Sequence, residues 1–482
     1  MTASTVSQKT PETDDTILVV DLDGTLSRTD TLHESLLGLV TRDPLKLLKL
    51  PSWLAEGRAG LKARLADLGV VDPASLPLNE AVIETVKTAR AAGRRTALVS
   101  AADHRQVTAV AEATGLFDEA FGSAENQNLK GDNKAAFLND RYGVGKFDYI
   151  GDSKADVPVW QAAREAITVG ANTRLRNAAE AVNQTTRHID PPTGQSRAML
   201  KAIRPHQWSK NALLFLPLLA AHDFTQIFSV LLGFIAFCLT ASAVYVINDL
   251  VDLSADRAHP RKCKRPFASG ALSATTGAIM AGGLLLFAIV LGLLTGNPAF
   301  LAVLGLYLVV TFAYSLWLKR KLIVDVLVLA GLYTVRIIAG GAAASVVLSP
   351  WMLGFSMFLF LALAAVKRQA ELTDQMITGR SSSGRAYEVE DLPILRGIAI
   401  SASHAAVLVL SLYISSDAVQ TLYAKSSFLW LITPFLLYWV LRMIMATHRG
   451  QMSDDPIVYA ATDKTSILII LICAAIAVAA AL

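Results

Sequence analysis

The chain has 482 residues, 53% of them hydrophobic and 17% charged, with a mean hydropathy of +0.44 and a formal net charge of +4. An ordinary globular chain is about 25% charged, so this composition excludes intrinsic disorder, a coiled coil and a wholly soluble fold. Three cysteines, Cys238, Cys263 and Cys473, none of them in a CxxC pair, exclude a disulfide framework and a structural zinc site.

Charge divides the chain. Residues 1–200 carry 23 Lys and Arg against 26 Asp and Glu, and residues 201–482 carry 21 against 14. A mildly acidic soluble part therefore precedes a basic and very apolar one. The first fifteen residues are polar and hold no apolar core of a secretory signal, which predicts that the soluble part stays in the cytoplasm. The basic residues of the second part gather at the ends of apolar segments, so nucleic acid is not an expected partner.

In the soluble part, the apolar run Thr16–Val20 leads into Asp21-Leu22-Asp23-Gly24-Thr25-Leu26. Similar runs are Thr96–Ser100, Phe147–Ile150 and Ala166–Val169, with a helical pattern over Asn79–Ala92 among the segments between them. Short apolar strands alternating with helices predict a parallel α/β sheet. Ligands of such sheets bind beyond the carboxyl ends of the strands. Asp21, Ser100 and Gly151-Asp152 all fall there.

This constellation resembles the haloacid dehalogenase-like (HAD) phosphohydrolases over roughly residues 15–170. The resemblance implies a Rossmannoid domain with a helical cap. It makes Asp21 the nucleophile, Asp23 its acid/base partner, Ser100 the phosphate-binding hydroxyl and Lys134 the site lysine, with Asp152 and Asp156 (GDSKAD) as the acidic metal motif. Mg²⁺ on Asp21, Asp152 and the Asp23 carbonyl would suppress the repulsion between a carboxylate nucleophile and a phosphate. Lys130 competes with Lys134 as a loop or substrate contact. Residues 31–70 mix Leu and Trp with Lys and Arg, and are expected to form a cap on its own core, with an amphipathic membrane-surface helix as the alternative. The expected domains are a polar tail at 1–15, the HAD-like domain at 16–175 with its cap at about 28–92, a polar linker at 176–200 containing Asp190-Pro191-Pro192-Thr193-Gly194, and a membrane domain at 201–482.

The membrane domain is expected to be an all-α bundle of about nine spans, beginning with a short one near 211–222. Alternate connections hold nearly all the Lys and Arg: Arg257–Arg265, Lys319–Lys321, Lys367–Arg396 and Arg449–Lys464. The positive-inside rule places these in the cytoplasm of a multi-pass inner-membrane protein. The second span runs out into Asn248-Asp249-Leu250-Val251-Asp252, and Asp249, Asp252 and Asp256 are spaced i, i+3, i+7. Three carboxylates on one helical face repel one another unless a cation sits among them, and Mg²⁺ bridging to a diphosphate is the usual solution. Basic residues follow at once, Lys264 and Arg265 among them.

NDLVDLSAD is similar to the NDxxDxxxD signature of the UbiA-type intramembrane prenyltransferase superfamily. RPHQWSKN, DRAHPRKCKRPFASG, the stretch from Tyr314 to Gly341, and VKRQAEL resemble the branch that makes polyprenyl-phosphate 5-phosphoribose. Where prenyltransferases carry a second acidic motif, this chain has Lys367-Arg368-Gln369-Ala370-Glu371, which favours a donor with an additional phosphate. The resemblance implies Mg²⁺-dependent transfer from phosphoribosyl diphosphate to a polyprenyl phosphate, with Asp249, Asp252 and Asp256 holding the metal. Lys210, Asn248, Lys264, Arg265, Tyr314, Lys319, Lys367, Arg368 and Glu371 become substrate contacts. Asp325 and Arg336 lie in one apolar span, where ionisable groups are costly, and are either functional or a structural pair. Asp454-Asp455 is expected to serve its loop, with a further cation site as the alternative. The alternatives are prenyl transfer from a prenyl diphosphate to an aromatic acceptor, and a transporter or anchor carrying a phosphatase. No oligomeric state is predicted.

Overall fold

The computed structural model describes residues 15–482 apart from 56, 69–71, 125–127, 191–193, 380–384 and 453–454. The polar tail up to residue 14, Pro191–Thr193 and Asp454 thus lie outside the described residues. The rest forms two units, one of residues up to Ile203 together with Val246–Met280, the other of Arg204–Tyr245 together with Ala281–Leu482.

The first unit is built on six parallel strands: β1 (Ile17–Val20), β2 (Thr96–Asp103), β3 (Glu119–Ser123), β4 (Phe147–Gly151), β5 (Ala166–Val169) and β6 (Thr186–Ile189), in the order β3-β2-β1-β4-β5-β6. A parallel sheet is covered on both faces, so its inner strands are apolar throughout. β1 shows why both faces close. Ile17 and Val19 pack with Phe147, Tyr149 and Trp160, while Leu18 and Val20 pack on the other face with Val82, Val86, Val107 and Ile150. The order of connection reverses at β1, whose neighbours are β2 and β4. The crevice beyond the ends of β1 and β4 is therefore the predicted ligand site.

The expected linker is not one. Within 176–200 the helix Thr173–Val182 continues, and β6 pairs with β5 from Ala166↔Thr186 to Val169↔Ile189. Edge strands bury less side-chain surface than inner ones, and both β3 (EAFGS) and β6 (TRHI) lack the apolar run that marks β1. The cap is shorter than 28–92. The helix Glu80–Ala91 buries Val82 and Val86 on the sheet, so it belongs to the core. The helices Thr31–Arg42 and Gly57–Asp67 instead share a separate small core of Leu39, Leu61 and Leu65, with Leu36, Leu50 and Trp53 packed on it.

The second unit is helical. Eight helices among the described residues are long and apolar enough to cross a membrane: Ile227–Val251, Ala274–Leu294, Pro298–Leu316, Val324–Ala344, Pro350–Thr378, Val389–Ile414, Ser426–His448 and Lys464–Ala481. The first two begin or end in the other unit. The expected ninth, at 211–222, is a 3₁₀ segment Pro205–Phe215 followed by the six-residue helix Leu216–Ala221. Pro205 and Pro217 stand at the starts of these two pieces, where the missing N–H costs nothing. The bundle core is rich in alanine: Ala362 and Ala365 pack with Ala399, Ala402 and Val440, the small residues that let helices approach closely in lipid. Phe287, Val309 and Leu471 are among many large apolar side chains left exposed on its outside.

Candidate functional sites

β1 ends at Val20, and the next residue, Asp21, turns into the crevice. Its carboxylate accepts the Leu22 N–H at 2.9 Å and pairs with Lys134 Nζ at 3.1 Å. Lys134 lies 3.6 Å from Asp156 and donates to the Tyr149 hydroxyl at 2.7 Å, which in turn donates to Asp156 Oδ1 at 2.9 Å. Ser153 fixes the other Asp156 oxygen through its N–H and hydroxyl, at 3.0 and 2.8 Å. Asp21, Asp152 and Asp156 each bring an oxygen within 4.8 Å of the others, the one such group among the described residues.

Burial sets the charges here. It raises Asp21, with Lys134 working against it. It pushes Asp152 up to about 8, and the charges of Asp21 and Asp156 add to the effect. Three carboxylates brought this close, with Asp21 and Asp152 raised, form a hard-oxygen set that fits a divalent cation. Asp23 has a different setting. Burial, then the charge of Asp30, push it up to about 7, although its Oδ1 accepts the Thr31 N–H at 2.7 Å. A carboxyl that holds its proton near neutrality is suited to acid/base work. Gly24, next after Asp23, has φ +75°, and an added Cβ there would strike the Asp152 carboxylate.

Ser100 is buried inside β2, which runs on to Asp103, and its hydroxyl accepts the Ala102 N–H at 3.2 Å. Lys130 is exposed. The sequence reading missed Lys62. This cap lysine donates to the Ala101 carbonyl at 2.6 Å and feels the charges of Asp23, Asp30 and Asp21. Its signal, one of three basic residues in 57–67, is not distinctive.

The second acidic motif also lies in the first unit. The helix Ile227–Val251 stops before Asp252, and a short helix Leu253–Ala258 resumes after it. Asp252 N–H still bonds to the Asn248 carbonyl at 2.9 Å, and Asp256 N–H to the Asp252 carbonyl at 2.8 Å. Asp249 and Asp256 are buried and converge on Arg265 Nη1, at 3.2 and 2.6 Å. Asp252 and Asn248 are half-buried, and Lys264 is exposed. The three acids are thus not gathered as closely as the first group, and two of them share a guanidinium. A positive charge does fit between Asp249 and Asp256, and their oxygens are donors a divalent ion accepts.

In the second unit Lys210, Lys367 and Arg368 have acid partners. Lys210 is paired with Asp455, and Lys367 reaches the same Asp455 oxygen at 3.3 Å. Against the cost of burial, these two ammonium groups hold Asp455 below the ordinary carboxylate range. Asp455 also caps the helix Pro456–Thr462, accepting the Ile457 N–H at 3.0 Å. Its service goes beyond the loop role expected for it. Arg368 is fully buried between Asp325, at 2.9 Å, and Glu371. Tyr314 donates to Asp325 at 2.8 Å. Lys319 is half-buried. Asp325 and Arg336 are not a pair: Arg336 donates to Asn211 at 2.9 Å and lies against Tyr307. Eleven residues along the helix are about 16 Å of rise, beyond the reach of an ion pair.

Two family descriptions match the chain: UbiA prenyltransferase family over residues 212–462, and haloacid dehalogenase-like hydrolase over residues 18–161. The uncharacterized protein y4nM of Sinorhizobium fredii is 37% identical over 456 residues, 93% of this chain and 88% of that one. Nodulation protein NoeC of Azorhizobium caulinodans is 38% identical over 275 residues, 56% of this chain and 89% of that one. Decaprenyl-phosphate phosphoribosyltransferase of Mycolicibacterium smegmatis is 39% identical over 190 residues, covering 38% of this chain and 59% of that enzyme. With half of its length in the first of these families and eight apolar helices, the chain belongs to the UbiA prenyltransferase family as an integral membrane enzyme, and it carries a haloacid dehalogenase-like hydrolase domain ahead of the membrane part.

Proposed function

We propose that the membrane part transfers 5-phosphoribose from phosphoribosyl diphosphate to a polyprenyl phosphate, and that the soluble part removes the 5-phosphate from the product. The observation that carries this reading is Lys367-Arg368 in place of a second acidic motif, supported by the similarity to a decaprenyl-phosphate phosphoribosyltransferase. A prenyl diphosphate gives two further cations little to bind, whereas a sugar diphosphate with an additional phosphate does.

Asp249, Asp252 and Asp256 would hold Mg²⁺, which neutralises the leaving diphosphate when bound. Asn248, Lys264 and Arg265 stand beside them as donors to phosphate oxygens. Lys210 and Lys367, both paired with Asp455, form an anion site of their own that a phosphate would occupy in its place. Arg368, Glu371, Tyr314 and Lys319 are assigned to substrate binding on the same reading, with Arg368 acting from a network that already fixes its guanidinium. The acceptor is a phosphate monoester, anionic at neutral pH, so no strong base is required and catalysis rests on positioning and charge.

In the hydrolase, Asp21 attacks phosphorus and becomes the aspartyl phosphate. Asp23 protonates the departing alkoxide, then takes a proton from the water that hydrolyses the acyl phosphate. Lys134 and Ser100 hold the phosphoryl oxygens. Asp21, Asp152, Asp156 and the Asp23 carbonyl would hold Mg²⁺, which screens the nucleophile from its target. The basic connections lie in the cytoplasm of an inner-membrane protein on this reading, as does the hydrolase.

The test is direct. Detergent-purified protein is incubated with radiolabelled phosphoribosyl diphosphate, Mg²⁺ and polyprenyl phosphate, and label is sought in the organic phase. Label that stays aqueous, with turnover of a prenyl diphosphate onto an aromatic acceptor instead, replaces the reading with prenyl transfer, which the UbiA match equally supports.

A further inference from the structure

The segment that follows the NDxxDxxxD motif is built into the hydrolase. Arg257, next to Asp256, places its guanidinium on Glu34 of the helix Thr31–Arg42, with Nη1 at 3.1 Å and Nη2 at 2.6 Å from the two carboxylate oxygens. Their side chains are only 6% and 8% exposed. Arg257 Nε reaches the Ala268 carbonyl at 3.3 Å, so the guanidinium also braces its own loop. Two flanking contacts extend the junction. Thr275 Oγ1 lies 3.4 Å from His33 Nδ1. Gly270, at φ +71°, brings its backbone so close that an added Cβ would lie 2.8 Å from Arg28 Cβ and 3.1 Å from Pro77 Cβ.

What Glu34 stands on gives this junction its chemical meaning. The helix that carries it begins at Thr31, whose N–H holds the Asp23 carboxylate at 2.7 Å, one turn away. Asp30, whose charge acts on Asp23, caps the same turn, with its Oδ1 2.8 Å from the Leu32 N–H. Whatever fixes the first turn of this helix fixes the donor that orients Asp23. A buried bidentate guanidinium–carboxylate pair does so with direction as well as energy. Its loss leaves a buried charge without a partner.

We propose that Arg257 is a positioning residue of the hydrolase: through Glu34 it holds the helix 31–42 so that the Thr31 N–H keeps the Asp23 carboxyl aimed at the leaving group. The proposal rests on the hydrolase reading of Asp21 and Asp23. It makes Arg257, which follows the last acid of the transferase motif, a structural support of the phosphatase site.

The test uses the full-length protein in detergent with two readouts: p-nitrophenyl phosphate hydrolysis in Mg²⁺, and amide hydrogen exchange at Thr31. The variants are Arg257→Gln, Arg257→Lys, Glu34→Gln and the exchanged pair Glu34→Arg with Arg257→Glu. The expected result is a fall in kcat of about tenfold with KM within twofold in each single variant. Exchange at Thr31 should be faster in each, and the exchanged pair should recover most of both losses. Lys is expected to fail like Gln, because an ammonium cannot make the two parallel bonds. Unchanged exchange at Thr31 in the single variants overturns the proposal, as does a loss of activity that the exchanged pair shares in full. If the wild-type protein hydrolyses no phosphomonoester, the hydrolase reading fails, and the exchange arm alone decides whether Arg257 holds Thr31.

Discussion

At the scale of single residues, each chemistry depends on charges that burial makes costly to leave alone. Lys134 is the hub of the hydrolase, touching Asp21, Asp156 and Tyr149. Asp21→Asn removes the proposed nucleophile while keeping the shape. It is expected to abolish phosphate release from the lipid product and leave transfer of label into lipid intact, read by phosphate assay and organic extraction on one preparation. Asp455 answers for two ammonium groups, Lys210 and Lys367. Asp455→Asn strands both, so a loss of about 3 kcal/mol is expected, read as a lower unfolding temperature in detergent.

At the scale of elements, the sheet edges and the cap carry the least buried surface. The start of β3 is tied by Asp118, which accepts the Thr96 N–H at 2.8 Å and pairs with Arg90 at 3.0 Å, and by Glu119, which pairs with Arg141 at 2.7 Å. Against the cost of burial, the Thr96 and Arg90 bonds lower Asp118, and the Arg141 and Tyr142 bonds lower Glu119. A carboxyl lowered in the folded state stabilises it above its unfolded value, about 4 for these groups, and that contribution disappears as pH falls through the lower folded value. Protection of β3 amides from exchange should therefore be constant near neutrality and drop below about pH 4, with a shallower drop in Asp118→Asn. The only buried residues of the cap's apolar core, among the described residues, are Leu39, Leu61 and Leu65. Leu65→Ala should cost about 2–4 kcal/mol there and speed exchange in Thr31–Arg42 and Gly57–Asp67, while β1 and β4 stay protected.

At the scale of the molecule, one chain holds a transferase and a hydrolase. On the proposed reading, tethering the second enzyme to the first would give it a high effective concentration of product, in the millimolar range for short flexible links. The two activities remain separable by mutation. Asp249→Asn should lower label transfer into lipid by more than about tenfold, since on the proposed reading it removes a carboxylate that would hold Mg²⁺ at the diphosphate, and should leave p-nitrophenyl phosphate hydrolysis near wild type. A parallel loss of both activities would mean that Asp249 serves the fold rather than the donor.

The sequence alone determined what is local. β1, β2, β4 and β5 were legible because inner parallel strands are continuous apolar runs, and the acids were legible because they follow those strands or end a long apolar helix. The edge strands β3 and β6 were not, since strands that bury less side-chain surface need no such run, and β6 (TRHI) has the polar composition of a linker. The membrane helices were legible by length and composition, except for the stretch at 211–222, whose apolar residues form 3₁₀ turns and a six-residue helix. Only the tertiary structure decided which charges meet. Asp455 with Lys210, Asp325 with Arg368 and Glu34 with Arg257 are 245, 43 and 223 residues apart in the chain. A sequence shows that a buried charge must find a partner, but only folding brings a particular one within reach.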